Sequence, residues 1–457
     1  MKEKNELINE ILVLLQEKRY SSLREVIIDE QAVDISEILI DMSKEQRIIV
    51  YRLLPKELAV QVFVDMDTEL QQDLINSFSD FELKQILDEL YVDDTADIIE
   101  EMPAAVVRRI LKNSSADTRR TLNELLKYPE TSAGSIMTTE YVRLRENMRV
   151  SDAFAHIRNV ALDKETVYNC YVTDEKRVLQ GIVTVRTLLL ASEDALVGDV
   201  MARNVISVST LEDREEVARM FDKYDYLALP VVDKENRLVG IITFDDAIDV
   251  MNEEVEEDFA KMAAITPSEK PYLRTSTFQI WKSRIPWLLI LMISATFTGM
   301  IISSFESALQ GLASLTIFIP MLMDTGGNSG SQASVTIIRG LSLGEISFND
   351  ILRVLWKELR VSLLCGVSLA IVSFGKIILV DRIIMENEEV TYMVAFVVCA
   401  TLCITVLAAK IIGCSMPILA KKLGFDPAVM ASPFITTIVD AISLVVYFGI
   451  SSAILNI

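Results

Sequence analysis

The sequence predicts a multidomain protein with an all-α helical-repeat N-terminal domain, a tandem α/β domain pair and an α-helical domain with five transmembrane spans. Three observations support this fold class. Apolar residues recur every twelve positions in the first 130 residues, a strand-rich plan occurs twice between 137 and 255, and five long apolar stretches follow. We place the boundaries at 1–130 for the acidic repeat domain, 131–251 for the α/β pair, 252–275 for a connecting helix and 276–457 for the transmembrane domain.

In the first 130 residues, most of the apolar positions spaced by twelve are followed by a residue that commonly starts a helix. The apolar positions are Met42, Leu54, Met66, Phe78, Leu90 and Met102, and the helix starters are Ser43, Pro55, Asp67, Ser79 and Pro103. Units this short cannot bury a face alone, so we expect helices stacked as a superhelix. The alternative is an ordinary helical bundle in which the spacing is coincidental.

The α/β region contains one plan twice: a strand, a charged turn, a strand with glycine and a helix, at 167–189 and 226–248. This pair resembles tandem CBS domains, regulatory modules that often bind adenine nucleotides. In that family a GxxTxxD pattern contacts the ribose, and the second copy keeps it as Gly240, Thr243 and Asp246. The resemblance implies ATP as a ligand of the second copy. The first copy has Thr187 where the aspartate would be.

Five apolar stretches follow, each able to cross about 30 Å of hydrocarbon as a helix. They lie near 285–304, 309–333, 358–380, 391–415 and 428–455. Basic residues cluster before the first stretch, between the second and third, and between the fourth and fifth. By the positive-inside rule, we expect a multi-pass protein of the inner (cytoplasmic) membrane with its N-terminus in the cytosol and its C-terminus outside.

Charge is distributed unevenly over the 457 residues. Residues 272–457 hold 12 of the 44 Lys and Arg residues and 11 of the 66 Asp and Glu residues, so the net charge of −22 lies in the first part of the chain. A strongly acidic surface argues against nucleic acid as a partner and favours multivalent cations. The first residues do not form a cleavable signal peptide, so we expect this acidic part in the cytosol.

The last apolar stretch carries Asp440 in the middle of the run FITTIVDAISLVVYFGI. A charge at bilayer depth costs at least about 2.5–3.5 kcal/mol, so such a residue usually faces a cavity, a partner or an ion. We expect Asp426 and Pro427 to mark the cytosolic start of this helix, with Asp440 near the bilayer centre. Pro433 between them would leave the carbonyl of Val429 unpaired, and oxygen ligands suit a hard cation.

The second stretch contains IPMLMDTGGNSGSQASVTIIRG at 319–340. Pro320 and the small and polar residues after it, including Gly327 and Asn328, predict a break in this span. Irregular backbone at this depth must be buried in protein or line an aqueous path. Small residues also let helices pack closely. The segment therefore serves packing, pore lining or both.

One carboxylate per chain makes a weak site for a divalent ion. A two-fold dimer with Asp440 at its axis would supply two, and two-fold dimers are the commonest oligomers. Mg²⁺ is typically held by one or two carboxylates and retained water, although this argument does not exclude Mn²⁺, Ca²⁺ or a proton. The residues alone therefore predict a regulated divalent-cation transporter in the lipid bilayer.

The whole arrangement resembles the MgtE family of magnesium channels and transporters. The resemblance rests on the domain order, on P-x5-GGNSGSQ in the second span and on DPA…P-x6-D in the last. It implies a homodimer with a central pore, in which Asp440 binds Mg²⁺ and Asp426 lies near the cytosolic mouth. The expected pore-lining residues are Pro320, Gly327, Asn328, Pro433 and Thr436.

Two acidic surfaces predict a regulatory switch. The stretch 245–258 holds eight acidic residues in fourteen with no basic one, and 88–101 is the second acidic surface. Like charges four residues apart oppose a helix, so divalent cations between the two surfaces would order them. A solvated acidic face is the alternative.

The MgtE resemblance implies the same switch, with the connecting helix plugging the pore when cytosolic Mg²⁺ is high. Its implied ligands are Asp93, Asp94, Asp97, Glu215, Asp225, Asp246, Asp249, Glu254, Glu257 and Asp258.

Other classes of function fit less well. The only histidine, His156, lies in an amphipathic run, and no nucleophile motif or phosphate loop occurs, so we do not expect an enzyme. The main alternative is an ion-coupled secondary transporter of divalent cations, because an intramembrane aspartate can also carry a proton. A non-conducting Mg²⁺ sensor would leave the membrane motifs unexplained.

Overall fold

The computed structural model describes residues 4–267, 272–273, 275–305, 313–430 and 432–455. The chain forms two compact units, Met1–Asn252 and Glu253–Ile457. We call them the first unit and the second unit. The first contains short helices and two small sheets, and the second contains the long apolar helices.

The first unit begins with short helices, and from α4 onward each begins twelve residues after the previous one. They are α1 Lys4–Gln16, α2 Tyr20–Ile28, α3 Ala32–Ile40, α4 Lys44–Leu53, α5 Lys56–Val64, α6 Thr68–Ser77, α7 Asp80–Leu87, α8 Val92–Glu101, α9 Ala104–Asn113 and α10 Ala116–Leu125. Side chains of Ser43, Asp67, Ser79 and Ser115 accept hydrogen bonds from first-turn N–H groups. Because such caps pair otherwise unsatisfied donors, they set where each helix starts. The predicted twelve-residue spacing is confirmed.

The repeated apolar residues form the core of this helical stack. Met42, Met66, Phe78, Leu90 and Met102 are buried, and Leu54 packs against the same core. Several helices contact the next helix but one, as α3 does α5 and α8 does α10. This order of contacts is typical of stacked repeats, in which each unit buries its face against near neighbours.

Two α/β repeats follow, and each contains a three-stranded sheet. The first repeat comprises β1 Tyr141–Leu144, α11 Val150–Val160, β2 Thr166–Thr173, β3 Leu179–Thr184 and α12 Val185–Leu190. After α13 Val197–Val200, the second comprises β4 Val208–Ser209, α14 Arg214–Tyr224, β5 Ala228–Val232, β6 Leu238–Thr243 and α15 Phe244–Met262. In each sheet the first two strands are parallel and the last two are antiparallel.

The two repeats exchange backbone segments. Thr138, which precedes the first repeat, forms two hydrogen bonds of 2.8 and 2.9 Å with Ile241 in β6 of the second. Ala202, which precedes the second repeat, bonds in the same way to Ile182 in β3 of the first, at 2.8 and 3.0 Å. Each sheet is therefore extended by residues that lie before the other repeat in sequence.

In the part of the chain that the structure describes, the second unit contains the end of α15 and five longer helices. These are α16 Thr277–Ser304, α17 Ile319–Ser342, α18 Ile351–Lys376, α19 Tyr392–Lys422 and α20 Ser432–Leu455. Within the described residues, four helical stretches are long and apolar enough to cross a membrane: Thr277–Ser304, Phe348–Ile384, Tyr392–Lys422 and Pro427–Leu455. The α17 helix, which covers most of the expected second span, is not among these four. Residues 309–312 of that predicted span lie outside the described part of the chain.

The structure corrects three local predictions. The expected break in the second span is wrong, because α17 is continuous and Pro320 lies in its first turn, where a missing N–H costs nothing. The predicted start of the last helix at Pro427 is also wrong, because Pro427 begins a short 3₁₀ turn, Pro427–Met430, and α20 begins at Ser432. Pro433 therefore lies in the first turn of α20 and does not interrupt the helix. The connecting helix predicted over 252–275 ends at Met262. Residues 268–271 and 274 of that prediction lie outside the described residues.

The helices α17, α19 and α20 pack on one another in the second unit. A Cβ atom on Gly413 of α19 would collide with the carbonyl oxygen of Gly330 in α17. Only glycine permits this backbone approach, which is typical of close helix packing in membranes. The small residues of α17 therefore serve packing along its buried face.

Two buried carboxylates of the second unit are each paired with a lysine. Lys410 in α19 lies 3.8 Å from Glu358 in α18, with side chains 7% and 13% exposed. Lys376 lies 2.8 Å from the buried Asp381, which belongs to a π-helical segment, Ile377–Ile384. In each pair a lysine compensates a carboxylate that would otherwise be costly to bury.

Candidate functional site

Asp440 occupies the ninth position of α20 and is half-buried. No hydrogen bond or ion pair joins its carboxylate to another residue in the described ranges. The charge of Asp324 in α17 acts on it. Near this point the two helices are close, since a Cβ on Gly327 would lie 3.1 Å from the Thr436 methyl carbon. A carboxylate without a protein partner at this depth is available to a cation.

A polar stripe runs along the exposed side of α17. The polar residues Asp324, Asn328 and Gln332 recur every four positions, in line with Pro320 at the start of the helix, and all four are exposed. The opposite side, which includes Gly326, Gly330 and Ala333, is buried. Residues four apart share a helix face, so the stripe is continuous. Such a surface is unsuited to lipid and needs water or protein beside it.

The predicted pore-lining residues divide between this stripe and the contact of α17 with α20. Pro320 and Asn328 are exposed on the stripe, whereas Gly327 is buried. Pro433 and Thr436 are half-buried in the first turns of α20. Gly327 is therefore packed against α20, whereas Asn328 is free to face an aqueous path.

Asp426 lies just before the short turn Pro427–Met430. Its Oδ1 atom accepts a hydrogen bond of 2.7 Å from the Ala428 N–H. Its Oδ2 atom lies 2.6 Å from Nζ of Lys261 in α15. The sequence interpretation assigned Asp426 to an ion path, but it did not identify the lysine that now pairs with it.

A separate group of carboxylates lies close together in the first unit. Carboxylate oxygens of Asp93, Glu140 and Glu165 all lie within 4.8 Å of one another. Asp93 is 8% exposed, and its Oδ1 atom has no hydrogen-bond partner in the described part of the chain. Three oxygen ligands at this spacing can hold a hard divalent cation.

Further aspartates surround this group. Asp94 and Asp97 of α8 and Asp246 of α15 are near enough for their charges to act on it. We call Asp93, Asp94, Asp97, Glu140, Glu165 and Asp246 the acidic cluster. The MgtE resemblance implies that Asp93, Asp94 and Asp97 face Asp246, and in the structure the charge of Asp246 acts on all three.

Proton affinity in the acidic cluster is abnormally high. Burial, followed by the charges of neighbouring carboxylates, raises the pKa of Asp93 and of Asp94 to about 7. The same causes raise the pKa of Asp97 and of Glu165 to about 8. Burial also raises the pKa of Asp246, although a hydrogen bond from Thr243 opposes the shift. These carboxyls therefore need protons or cations to remain buried together.

Glu140 and Glu165 were missed by the sequence interpretation. Glu140 directly precedes β1 and Glu165 directly precedes β2, and these strands are parallel neighbours. The Glu165 N–H donates a 2.9 Å hydrogen bond to the Glu140 carbonyl. Strand pairing thus brings together two glutamates that are 25 positions apart. The available signal was their common position just before a strand.

The remaining predicted regulatory residues have other surroundings. Glu215 pairs with Arg219 in the same helix. Asp225 ends α14 in a left-handed conformation, with φ of 54°. Asp249 interacts with Asp245. Glu257 pairs with Lys261. Glu254, Glu257 and Asp258 belong to the second unit, whereas the acidic cluster belongs to the first.

The predicted nucleotide motif is engaged within the protein. The Thr243 hydroxyl donates a 2.6 Å hydrogen bond to Asp246. A Cβ on Gly240 would lie 2.8 Å from the Thr138 carbonyl oxygen, so this glycine permits the segment exchange between the repeats. In the first repeat, Thr184 and Thr187 hydrogen-bond to each other instead.

Comparison with known families covers most of the chain. The family described as MgtE, divalent cation transporter, matches residues 319–450. The MgtE intracellular N domain matches 30–131, and the CBS domain matches 133–194 and 197–253. The resemblance to tandem CBS domains is thereby confirmed.

Curated relatives match along almost the full length. The magnesium transporter MgtE of Thermus thermophilus is 34% identical, over 97% of this chain and 97% of the relative. The magnesium transporter MgtE of Bacillus subtilis is 34% identical, over 99% of this chain and 98% of the relative. Both relatives are named transporters, in agreement with the expectation that this protein is not an enzyme.

Two solved structures match the first part of the chain. The cytosolic domain of the Mg²⁺ channel MgtE in complex with ATP is 37% identical, with a TM-score of 0.51, and covers 53% of this chain and 99% of that one. The soluble part of a magnesium transporter is 29% identical, with a TM-score of 0.51, and covers 55% and 99%.

Proposed function

The chain belongs to the MgtE family, and from this premise we propose that it carries Mg²⁺ across the cytoplasmic membrane along a path lined by α17 and α20. The supporting observation is the half-buried Asp440 beside the exposed polar stripe of α17. The carboxylate provides a ligand at bilayer depth, and the stripe provides polar groups along the approach.

The path requires two copies of the chain. One copy leaves Asp324 and Asn328 uncovered, and lipid cannot satisfy such groups. A second copy related by a two-fold axis would cover the stripe and bring a second Asp440 to the axis. Two carboxylates around a partly hydrated ion suit Mg²⁺, which loses its water reluctantly.

In this proposal α17 also crosses the membrane, as the second span in chain order, and raises the number of spans from four to five. Its 24 residues extend about 36 Å, enough to cross the hydrocarbon layer although its polar stripe lowers its mean hydropathy. With five spans, basic residues such as Lys282, Arg339 and Lys421 fall on the cytosolic side. The N-terminus is then inside and the C-terminus outside, with a connecting segment between the CBS pair and the pore domain.

The acidic cluster serves as the sensor of cytosolic Mg²⁺. With no cation bound, burial and mutual repulsion disfavour the ionised cluster. Mg²⁺ would replace the protons and draw α8 toward α15 and the strands β1 and β2. High internal Mg²⁺ would thus order the cytosolic part and close the path, which gives negative feedback.

ATP is proposed as a ligand of the second CBS copy. The ATP-bound MgtE cytosolic domain supports this proposal by its similarity. Binding of a ribose at Thr243 and Asp246 would have to replace their mutual hydrogen bond. Calorimetric titration with ATP, compared between the native chain and Thr243→Val, tests it.

The test of transport is Mg²⁺ uptake into liposomes that contain the purified protein and a Mg²⁺-sensitive dye. We expect Asp440→Ala to reduce uptake to that of protein-free liposomes. The matched control is Glu345→Ala, an exposed charge in the same unit. Uptake without any proton or sodium gradient indicates a channel, and a strict need for such a gradient indicates a coupled transporter. Equal uptake by Asp440→Ala and the native chain would contradict the assignment of the ion path.

A further inference from the structure

The Lys261 ammonium lies between two carboxylates that were predicted to bind metal. Its Nζ atom is 2.6 Å from Asp426 Oδ2, and it also pairs with Glu257 one turn earlier in α15. Asp426 Oδ1 is occupied by the Ala428 N–H. Both oxygens of Asp426 therefore have donors from the chain itself.

The surroundings favour a stable contact. The Lys261 side chain is 26% exposed and that of Asp426 is 33% exposed, so water screens the pair only in part. The next residue, Met262, packs against Ile338 of α17 and Ala428.

The position of the pair relates it to transport. Asp426 directly precedes the turn that leads into α20, which carries Asp440. Met262, the last residue of α15, contacts α17, which carries the polar stripe. The ion pair and this apolar contact thus hold the end of α15 on α17 and on the turn that leads into α20.

We propose that Lys261 is a tethered cation that occupies the Asp426 site and holds the end of α15 at the mouth of the path without any bound metal. A divalent ion that binds between Glu257 and Asp426 must first displace the ammonium. At low Mg²⁺, the Lys261–Asp426 contact therefore keeps the mouth of the path partly closed. At high Mg²⁺, binding of the ion to the acidic cluster closes the path further. This inference rests on the proposed transport function.

The experiment measures Mg²⁺ uptake by liposomes at several internal Mg²⁺ concentrations. With Lys261→Met, we expect uptake at the lowest internal Mg²⁺ to rise about two- to fivefold, in keeping with one partly exposed ion pair. Millimolar internal Mg²⁺ should still suppress it. Lys261→Arg, which keeps the charge, should behave like the native chain. Arg353→Met, which breaks a more exposed pair with Asp350, is the matched control and should have no effect.

A second background tests whether Lys261 acts through Asp426. In Asp426→Asn the pair is already broken, so adding Lys261→Met should produce no further rise. An equal rise in both backgrounds, or no rise in either, would overturn the inference. If Lys261→Met has no effect while Asp440→Ala still abolishes uptake, the inference fails and the transport function stands. Absence of uptake by the native chain would overturn both.

Discussion

Buried carboxylates have different neighbours in the two units of the molecule. In the second unit, Asp381 and Glu358 each have a lysine of the same chain beside them. In the first unit, the strongest charges acting on Asp93 and Glu165 are those of other carboxylates. Burying a charge without a counterion is costly, so the two arrangements cannot serve the same purpose.

The difference separates structural carboxylates from those that await an ion. Where the chain supplies the counterion, the carboxylate has a structural partner: Glu358 and Lys410 join α18 and α19, and Asp381 pairs with Lys376 at the end of α18. Where the chain supplies none, a mobile cation or proton must complete the site. Asp440 follows the second pattern although it lies in the second unit, and we propose both Asp440 and the acidic cluster as magnesium ligands.

The largest expected effect comes from breaking a structural pair. Glu358→Gln would leave the Lys410 ammonium buried without a counterion, so we expect a loss of about 3 kcal/mol in the free energy of unfolding. Heating the detergent-solubilised protein and measuring the monodisperse fraction checks this. The double variant Glu358→Gln with Lys410→Met should recover most of the loss, since no buried charge remains. If Glu358→Gln alone is as stable as the native chain, Glu358 does not compensate the buried charge of Lys410.

Changing pH tests the acidic cluster. Its carboxyls bind protons more tightly in the folded chain than in the unfolded one, where the pKa is near its ordinary value of about 4. The stabilisation is therefore complete below about pH 4 and is lost as pH rises through about 7 and 8, the pKa values of Asp93 and Asp97. After correction for the intrinsic rise of amide exchange with pH, hydrogen-exchange protection of α8 in Mg²⁺-free buffer should fall across this range. Millimolar Mg²⁺ should restore the protection, and protection that does not change with pH in its absence would contradict the model of a proton-or-metal site.

A smaller effect is expected when the cluster loses one charge. At a pH above about 8, the pKa of Glu165, the change Glu165→Gln removes a negative charge and its repulsion, so the Mg²⁺-free first unit should gain about 1 kcal/mol of stability, equivalent to roughly one pKa unit. Mg²⁺ should then protect α8 less, because one ligand is gone. Glu175→Gln, an exposed position in the same repeat, makes the same change of charge away from the cluster. Protease digestion at several Mg²⁺ concentrations compares the variants, and identical protection in both would exclude Glu165 as a ligand.

Local signals predicted much of the fold. The twelve-residue spacing of helix starts was visible because caps such as Ser43 and Ser79 act within one turn. The positions of Pro320 and Pro433 were misjudged because a proline breaks a helix in its interior and suits its first turn, and the sequence alone did not show where α17 and α20 begin.

The candidate site was predictable only in part. Asp440 was conspicuous as a charge in an apolar run, and Asp93 and Asp246 lay in acidic stretches. Glu140 and Glu165 are isolated charges in sequence, and only the pairing of β1 with β2 brings them together. Lys410 stands inside the apolar stretch 391–415 much as Asp440 stands in its own, so the same argument applied to it would have predicted a buried partner. Glu358 lies at the polar start of the stretch 358–380, and nothing in the sequence identifies it as that partner.

The exchange of segments between the α/β repeats makes the pair inseparable. Because Thr138 pairs with Ile241 and Ala202 with Ile182, removing either repeat would strip an edge from the sheet of the other. Neither repeat is therefore a portable module on its own. During evolution, the unit that could be inserted next to a new partner domain, or exchanged between proteins, had to be the whole pair.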